Sequence, residues 1–321
     1  MPNTLIKLQK TRIICISDTH NQTPKLPKGD VLIHAGDLTN QGGISEMRRT
    51  VEWLEKADFE CKIVVGGNHD ITLDEPFFQQ HGSQWKWPQP QSPSACRDLL
   101  ISSPSITYLE NEAATIYLTS PDGPHTCFKV FGSPYSPKSH HHDWAFQYEG
   151  EDNATRLWDT IPDDADIVVT HTPPKGHCDQ ATKDDRTGCE ALLRALHRVR
   201  PMLAVCGHIH EARGVERMRW NVSEDGGGLV KEAEKWKDPG VGNNKQSLVN
   251  LTAAAGGRSL DNGSRLTRQA VLLQDGSRRR ETAVINAAVL GPRIPGKAMQ
   301  FNKPVVVDVA LPVWSFEKDA R

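Results

Sequence analysis

The chain has 321 residues, enough for one large α/β domain or two smaller ones. Its 37% hydrophobic and 24% charged residues are a globular balance. The 38 Lys+Arg against 40 Asp+Glu leave a formal charge of −2, which argues against general affinity for nucleic acid or anionic membranes. No apolar run reaches the roughly 18 residues of a membrane span, and the N-terminus lacks a signal-peptide apolar core.

Taken in chain order, Arg12 to Ser17 and Val31 to Ala35 read as buried strands, Ile- and Val-rich and followed at once by polar residues. Ile44, Met47, Val51 and Leu54 recur at helical spacing, and Lys62 to Val65 is a third strand. Ile106 to Leu118 and Thr126 to Phe131 are expected as an antiparallel ribbon. Ile167 to Thr170 is another strand. Thr187 with Glu190 reads as a capping box, opening a helix through Leu192, Leu193 and Leu196 that stops before Pro201. Met202 to Cys206, Ala283 to Val289 and Pro304 to Leu311 complete the strands. Strands alternating with helices, then a run of strands, imply stacked sheets with helices outside.

Residues 213–281 differ in kind. They hold 10 of the 25 glycines, little periodicity, and 13 Lys+Arg against 9 Asp+Glu. Such composition buries little apolar surface, so most of the segment is expected as a flexible insertion, with Ser247 to Ala255 a possible short element. Its basic surplus reads as a solvated loop, with a protein-partner patch as the alternative. The domain reading is one domain over 1–321, its core about 11–211 and 282–312. Seven cysteines, an odd number with no C-x-x-C pair, argue against a disulfide framework and for a reduced, cytoplasmic protein.

The chemistry lies where the strands end. Asp18-Thr19-His20, Gly36-Asp37, Gly67-Asn68-His69-Asp70, His171 and Gly207-His208-Ile209-His210 each follow an apolar run. The C-terminal edge of an α/β sheet is where sites form. Asp18, His20, Asp37, Asn68, His171, His208 and His210 are too many ligands for one tetrahedral ion but suit two ions about 3.5–4 Å apart sharing a carboxylate. Mixed imidazole and carboxylate donors favour Mn, Fe or Zn over Ca or Mg alone.

These motifs resemble those of the calcineurin-like metallophosphoesterase superfamily. Ile33-His34-Ala35-Gly36-Asp37-Leu38-Thr39, Gly132-Ser133-Pro134, His171-Thr172-Pro173-Pro174 and Cys206-Gly207-His208-Ile209-His210-Glu211 resemble its metallophosphoesterase-domain-containing branch. Thr172 stands where that branch more often carries Gly. The resemblance implies a four-layer sandwich of two mixed β-sheets flanked by helices. It implies a first divalent ion on Asp18, His20 and His210, a second on Asn68, His171 and His208, and Asp37 bridging. His69 would contact phosphate and assist the leaving group, with Asp70 orienting it. The implied reaction is hydrolysis of a small phosphodiester or phosphomonoester, a nucleotide among the candidates, by direct attack of hydroxide held at the ions. A protein Ser/Thr phosphatase and a low-turnover nucleotide-binding regulatory protein are the alternatives.

Other residues read more plainly. His140-His141-His142-Asp143 is expected as surface loop, with reach to substrate or a third ion as the alternative, and Trp144 and Phe146 offer a pocket wall. His34 is a core histidine. Trp85 and Trp87 are loop packing, His177 and Cys178 are loop or support for the site, and Arg213 is a minor candidate for phosphate.

Overall fold

The computed structural model describes residues 7–138, 143–182, 184–221, 228–262, 279–292, 296 and 298–314. The strands are β1 (Leu8–Ile16), β2 (Val31–Ala35), β3 (Cys61–Val65), β4 (Ile106–Tyr108), β5 (Glu112–Tyr117), β6 (Cys127–Ser133), β7 (Ser136–Pro137), β8 (Gln147–Tyr148), β9 (Ile167–Thr170), β10 (Leu203–Cys206), β11 (Gly214–Trp220), β12 (Val230–Lys235), β13 (Ser247–Leu251), β14 (Glu281–Asn286) and β15 (Val305–Pro312). The helices are α1 (Ile44–Lys56), α2 (Glu75–His81), α3 (Pro93–Ile101), α4 (Glu151–Trp158) and α5 (Glu190–Val199).

Two mixed sheets stack face to face. The first runs β13-β15-β1-β2-β3-β4 and the second β12-β11-β14-β10-β9-β6-β5. Side chains of a strand point alternately to opposite faces, and both faces here are apolar. Ile13 and Cys15 of β1 enter the core between the sheets, while Ile14 and Ile16 pack with Met47, Val51 and Leu54 of α1. In the second sheet Ile167 and Val169 point inward and Val168 packs with Leu192 and Leu196 of α5. Burying one such side chain is worth about 1.5–3 kcal/mol, against a strand-propensity range of about 1 kcal/mol. Burial on both faces therefore explains these continuous apolar runs. The result is the four-layer α/β sandwich expected from the motifs.

Three details differ from expectation. Ile106 to Leu118 does not form one ribbon strand: β4 lies parallel to β3 in the first sheet, and β5 pairs antiparallel with β6 in the second. The N-cap of α5 is Cys189, whose Sγ accepts from the Leu192 N–H, so the Thr187–Glu190 box does not form. Segment 213–281, expected as mostly flexible insertion, carries β11, β12 and β13. β11 adds Val215, Met218 and Trp220 to the apolar layers, and β13 lies parallel to β15 in the first sheet. His140, His141 and His142 lie outside the described residues. Among the described residues no helix is long and apolar enough to cross a membrane.

The sheets also meet at their C-terminal edge. The Ser17 N–H donates to the Ala287 carbonyl and the Val289 N–H to the Ser17 carbonyl, tying the exit of β1 to that of β14. This seam brings the ends of β1, β2 and β3 against those of β9 and β10.

Candidate metal centre

All seven residues expected as ligands, and His69, meet at this seam. The carboxylate of Asp18 lies 3.3 Å from His210 Nε2 and accepts the His208 N–H at 3.0 and 3.1 Å. Asp37 offers Oδ2 at 3.5 Å from His20 Nε2 and Oδ1 at 3.4 Å from His171 Nε2, so it stands between two groups of imidazoles. His171 Nε2 is also 3.0 Å from Asn68 Oδ1 and 3.2 Å from His208 Nδ1. His69 closes the site on the Asp37 side, its ring edge-on to His20 at 4.7 Å.

The backbone is strained where it delivers these groups. Asp18, His20, Asp37 and His208 all have left-handed φ, at 52°, 43°, 53° and 66°. Such conformations cost about 1–3 kcal/mol each for non-glycine residues and persist only where the surroundings enforce them. Two glycines permit the close approach. A Cβ on Gly207 would sit 1.9 Å from Ser17 Oγ and 2.2 Å from Asp18 Oδ2, and one on Gly67 would sit 2.4 Å from Asp37.

The donor set fits divalent ions. Oxygen and nitrogen atoms of Asp18, His20 and His210, of Asp18, Asp37 and His171, and of His20, Asp37 and His69 lie within 4.8 Å of one another in each group. His20 Nε2 is buried with no hydrogen-bond partner. A carbonyl only accepts, so His171 Nδ1, 2.9 Å from the Ala35 carbonyl, carries a proton and leaves Nε2 facing Asp37, Asn68 and His208. Burial alone would lower the His171 pKa, but Asp37 and Asp18 raise it to about 9. A positive charge is thus favoured at this point. Burial opposes ionisation of Asp18 and Asp37 as well. His210 and His171 nevertheless hold Asp18 at about 2, and His171, His69 and His20 hold Asp37 well below the usual carboxylate range. Burial lowers His208 to about 3, leaving it neutral as a ligand must be.

The residues around the ligands depart from expectation in one respect. Asp70 does not orient His69. Its carboxylate accepts the Gly67, Leu38 and Thr39 N–H groups and the Thr39 hydroxyl, at 2.7–3.1 Å, and so joins the exits of β2 and β3. Burial, then Asp37, pushes its pKa up to about 7. His69 instead holds the Asn40 carbonyl through Nδ1 at 2.9 Å. Its ring lies against Trp144.

One supporting residue escaped the sequence reading. Asn286, fully buried, donates through Nδ2 to the carbonyls of Cys178, Gly207 and Ile209 at 3.1, 3.3 and 2.9 Å. Its signal was present, since it ends an apolar run as the ligands do. His34 is a core histidine with Nε2 on the Thr19 hydroxyl at 2.8 Å and a buried, unpartnered Nδ1; burial lowers its pKa to about 3. His177 pairs with Glu216 at 2.8 Å, and Cys178 is buried. Arg213 bonds Asp238 and the Lys303 carbonyl, so its guanidinium is directed to the 238–247 loop. Thr172 is fully buried. Trp85 and Trp87 lie with rings 6.3 Å apart, and Trp85 is 5.9 Å from Trp144.

Comparison with known proteins bears on this constellation. The family model described as calcineurin-like phosphoesterase matches residues 11–212, the span that holds the seven candidate ligands. Metallophosphoesterase domain-containing protein 1 of Homo sapiens is 37% identical over 216 residues, covering 64% of this chain and 62% of that protein. The UPF0046 protein C25E10.12 of Caenorhabditis elegans is 31% identical over 222 residues, covering 66% of this chain and 73% of that protein. A protein of Emericella nidulans named probable rhamnogalacturonate lyase C is 39% identical over 233 residues, covering 70% of this chain but 20% of its own length.

Proposed function

The chain belongs to the calcineurin-like phosphoesterase family, and from that premise we propose that it hydrolyses a small phosphodiester or phosphomonoester at a centre of two divalent ions. The carrying observation is Asp37, whose two oxygens face His20 on one side and His171 on the other. In this reading Asp18, His20 and His210 hold one ion, Asn68, His171 and His208 hold the other, and Asp37 bridges them. Mn, Fe or Zn suits the mixed donors. The likeness to the fungal protein spans one fifth of that protein, so lyase chemistry does not follow for this chain.

When bound, the ions supply charge neutralisation for the phosphate oxygens and an acidified water near neutral pH. The chain's own part is geometric. His171 is held through Nδ1 by the Ala35 carbonyl, so Nε2 is the nitrogen turned to the site, and it would give up its proton to serve as a ligand when an ion is present. His69 turns Nδ1 to the Asn40 carbonyl, which leaves Nε2 for the leaving oxygen; a protonated Nε2 there donates to it as the ester bond breaks. Asp70 keeps the Asp37 and Asn68 turns in register. A cytoplasmic setting is supported by the seven cysteines, all free thiols and six of them buried.

The test is hydrolysis of bis(p-nitrophenyl) phosphate and p-nitrophenyl phosphate by protein stripped of metal and reloaded with Mn²⁺, with Asp37→Asn as the blank. Diester turnover above monoester turnover supports a phosphodiesterase, and the reverse a phosphatase. Turnover of neither, with two metals bound per chain, would overturn the hydrolytic reading and favour a nucleotide-binding protein.

A further inference from the structure

We infer that Trp144 is a positioning residue for His69, one wall of a clamp whose other wall is the Asn40 carbonyl; this rests on the hydrolytic reading of the site. The ring centroids of His69 and Trp144 are 4.2 Å apart and the planes are inclined by 33°, a close tilted contact rather than an edge-on one. On the other side His69 Nδ1 is 2.9 Å from the Asn40 carbonyl. The hydrogen bond fixes the tautomer but leaves the ring able to rotate about that bond. The indole face removes this freedom, so Nε2 stays turned to the metal side, where the ring meets His20.

The loop that carries Trp144 is built to hold this contact. Two residues on, Phe146 is buried, with left-handed φ of 54°, and its N–H donates to Asp74 Oδ2 at 2.7 Å. Asp74 also caps α2, its other carboxylate oxygen accepting the Phe77 N–H at 3.1 Å. The Phe146 ring packs so near Gly66 that a Cβ there would lie 3.2 Å from it. The same short loop thus touches the exit of β3 twice, Phe146 at Gly66 and Trp144 at His69. The Trp144 N–H donates to Gln147 Oε1 at 3.0 Å, closing the turn on itself. Asp70, the carboxylate adjacent to His69 in sequence, is fully engaged elsewhere. The clamp therefore does for His69 what a carboxylate partner commonly does for an imidazole.

Two measurements test this. In metal-free protein with isotope-labelled histidine, the His69 ring resonance, identified by its loss in His69→Ala, is expected upfield and should move downfield in Trp144→Ala but stay near its place in Trp144→Phe. In the Mn²⁺-loaded enzyme, aryl esters of the class that turns over are compared from p-nitrophenyl to unsubstituted phenyl. A good leaving group needs little protonation, so Trp144→Ala should slow the phenyl ester by about 10–100-fold and the p-nitrophenyl ester by only a few fold. His69→Ala should give the same pattern more steeply, within the roughly 10²–10⁴ range of general acid–base catalysis. Trp144→Phe should recover most of the loss. An unmoved His69 resonance in Trp144→Ala, or equal slowing of both esters, would overturn the clamp while leaving the hydrolytic reading in place. Equal slowing of both esters by His69→Ala would overturn the role of His69 and the clamp with it.

Discussion

The two sheets bring their proposed ligands to the same seam by different means. The exits of β2 and β3 are gathered by a carboxylate: Asp70 draws in three N–H groups and one hydroxyl. The loops after β9 and β10 are gathered by an amide: Asn286 gives its one NH₂ group to three carbonyls. The first brace is titratable, its pKa raised by burial and then by Asp37; the second is neutral. The anionic ligands come from the first sheet, and the second contributes only imidazoles. An ionisable brace thus stands beside the proposed anionic ligands, where bound cations would favour the charged form of both. The neutral brace holds groups that carry no negative charge, and it serves folding whether or not an ion is bound.

Substitutions separate the two. Asp37→Asn should have the largest effect on the centre, because it removes charge facing both imidazole groups. Metal content by elemental analysis should fall below two ions per chain, and turnover should drop by more than the about 10–100-fold expected for loss of an outer partner. Full occupancy with normal rate would mean that Asp37 does not bridge. Asn286→Leu removes the side-chain donor of the buried Cys178 carbonyl, while the Gly207 and Ile209 carbonyls keep the Ile209 and Ala212 N–H groups; an unsatisfied buried group costs about 1–3 kcal/mol. Denaturant melts of metal-free protein should show a loss of about 1–3 kcal/mol. Asp70→Asn should do the reverse of Asn286→Leu in emphasis. Metal affinity should fall by about 10–100-fold, with a smaller change in metal-free stability, since repulsion with Asp37 is relieved as hydrogen bonds are lost. Equal ratios of the two effects in both variants, by calorimetry and titration, would erase the distinction.

The smallest effect belongs to a control remote from both braces. Glu281 accepts from Arg217 and Arg219. Burial opposes its charge, but these guanidiniums hold its carboxyl below the ordinary value. A lowered folded pKa means stability that is present above the unfolded value near 4.5 and is lost as pH falls through the folded one. Glu281→Gln should therefore cost about 1 kcal/mol near pH 7 and less in acid, with metal content unchanged.

The convergence of these residues was legible because each proposed ligand ends an apolar run or follows it within a few residues, and that signal is local. Asp18, Asp37, Asn68, His171 and His208 needed only the observation that strands stop there. The apolar runs, as in Ile13 to Ile16, with the helices between them implied an α/β fold, and the four-layer sandwich was implied by the resemblance of the motifs. β12 was not legible, since Val230–Lys235 is charged and exposed and is specified by pairing with β11 alone. The N-cap at Cys189 was hidden because thiols are rarely read as capping groups. The roles of Asp70, Asn286 and Trp144 depend on contacts between residues distant in the chain, and no periodicity encodes them.

The position of β1 has a consequence for how the centre comes into being. β1 lies between β2 and β15, with Leu8 opposite Pro312 and Cys15 opposite Val305. Arg12 reaches across to Asp308 in a bidentate pair at 2.7 and 2.8 Å. As the polypeptide leaves the ribosome, Asp18 and His20 emerge well before residues 305–312, and until those follow their strand lacks one neighbour. Long-range pairing of this kind slows folding and leaves an unpaired edge exposed in the interval. The first residues of the centre are thus made long before the strand that completes their sheet, so a chain cut before Val305 should aggregate rather than retain a weakened site.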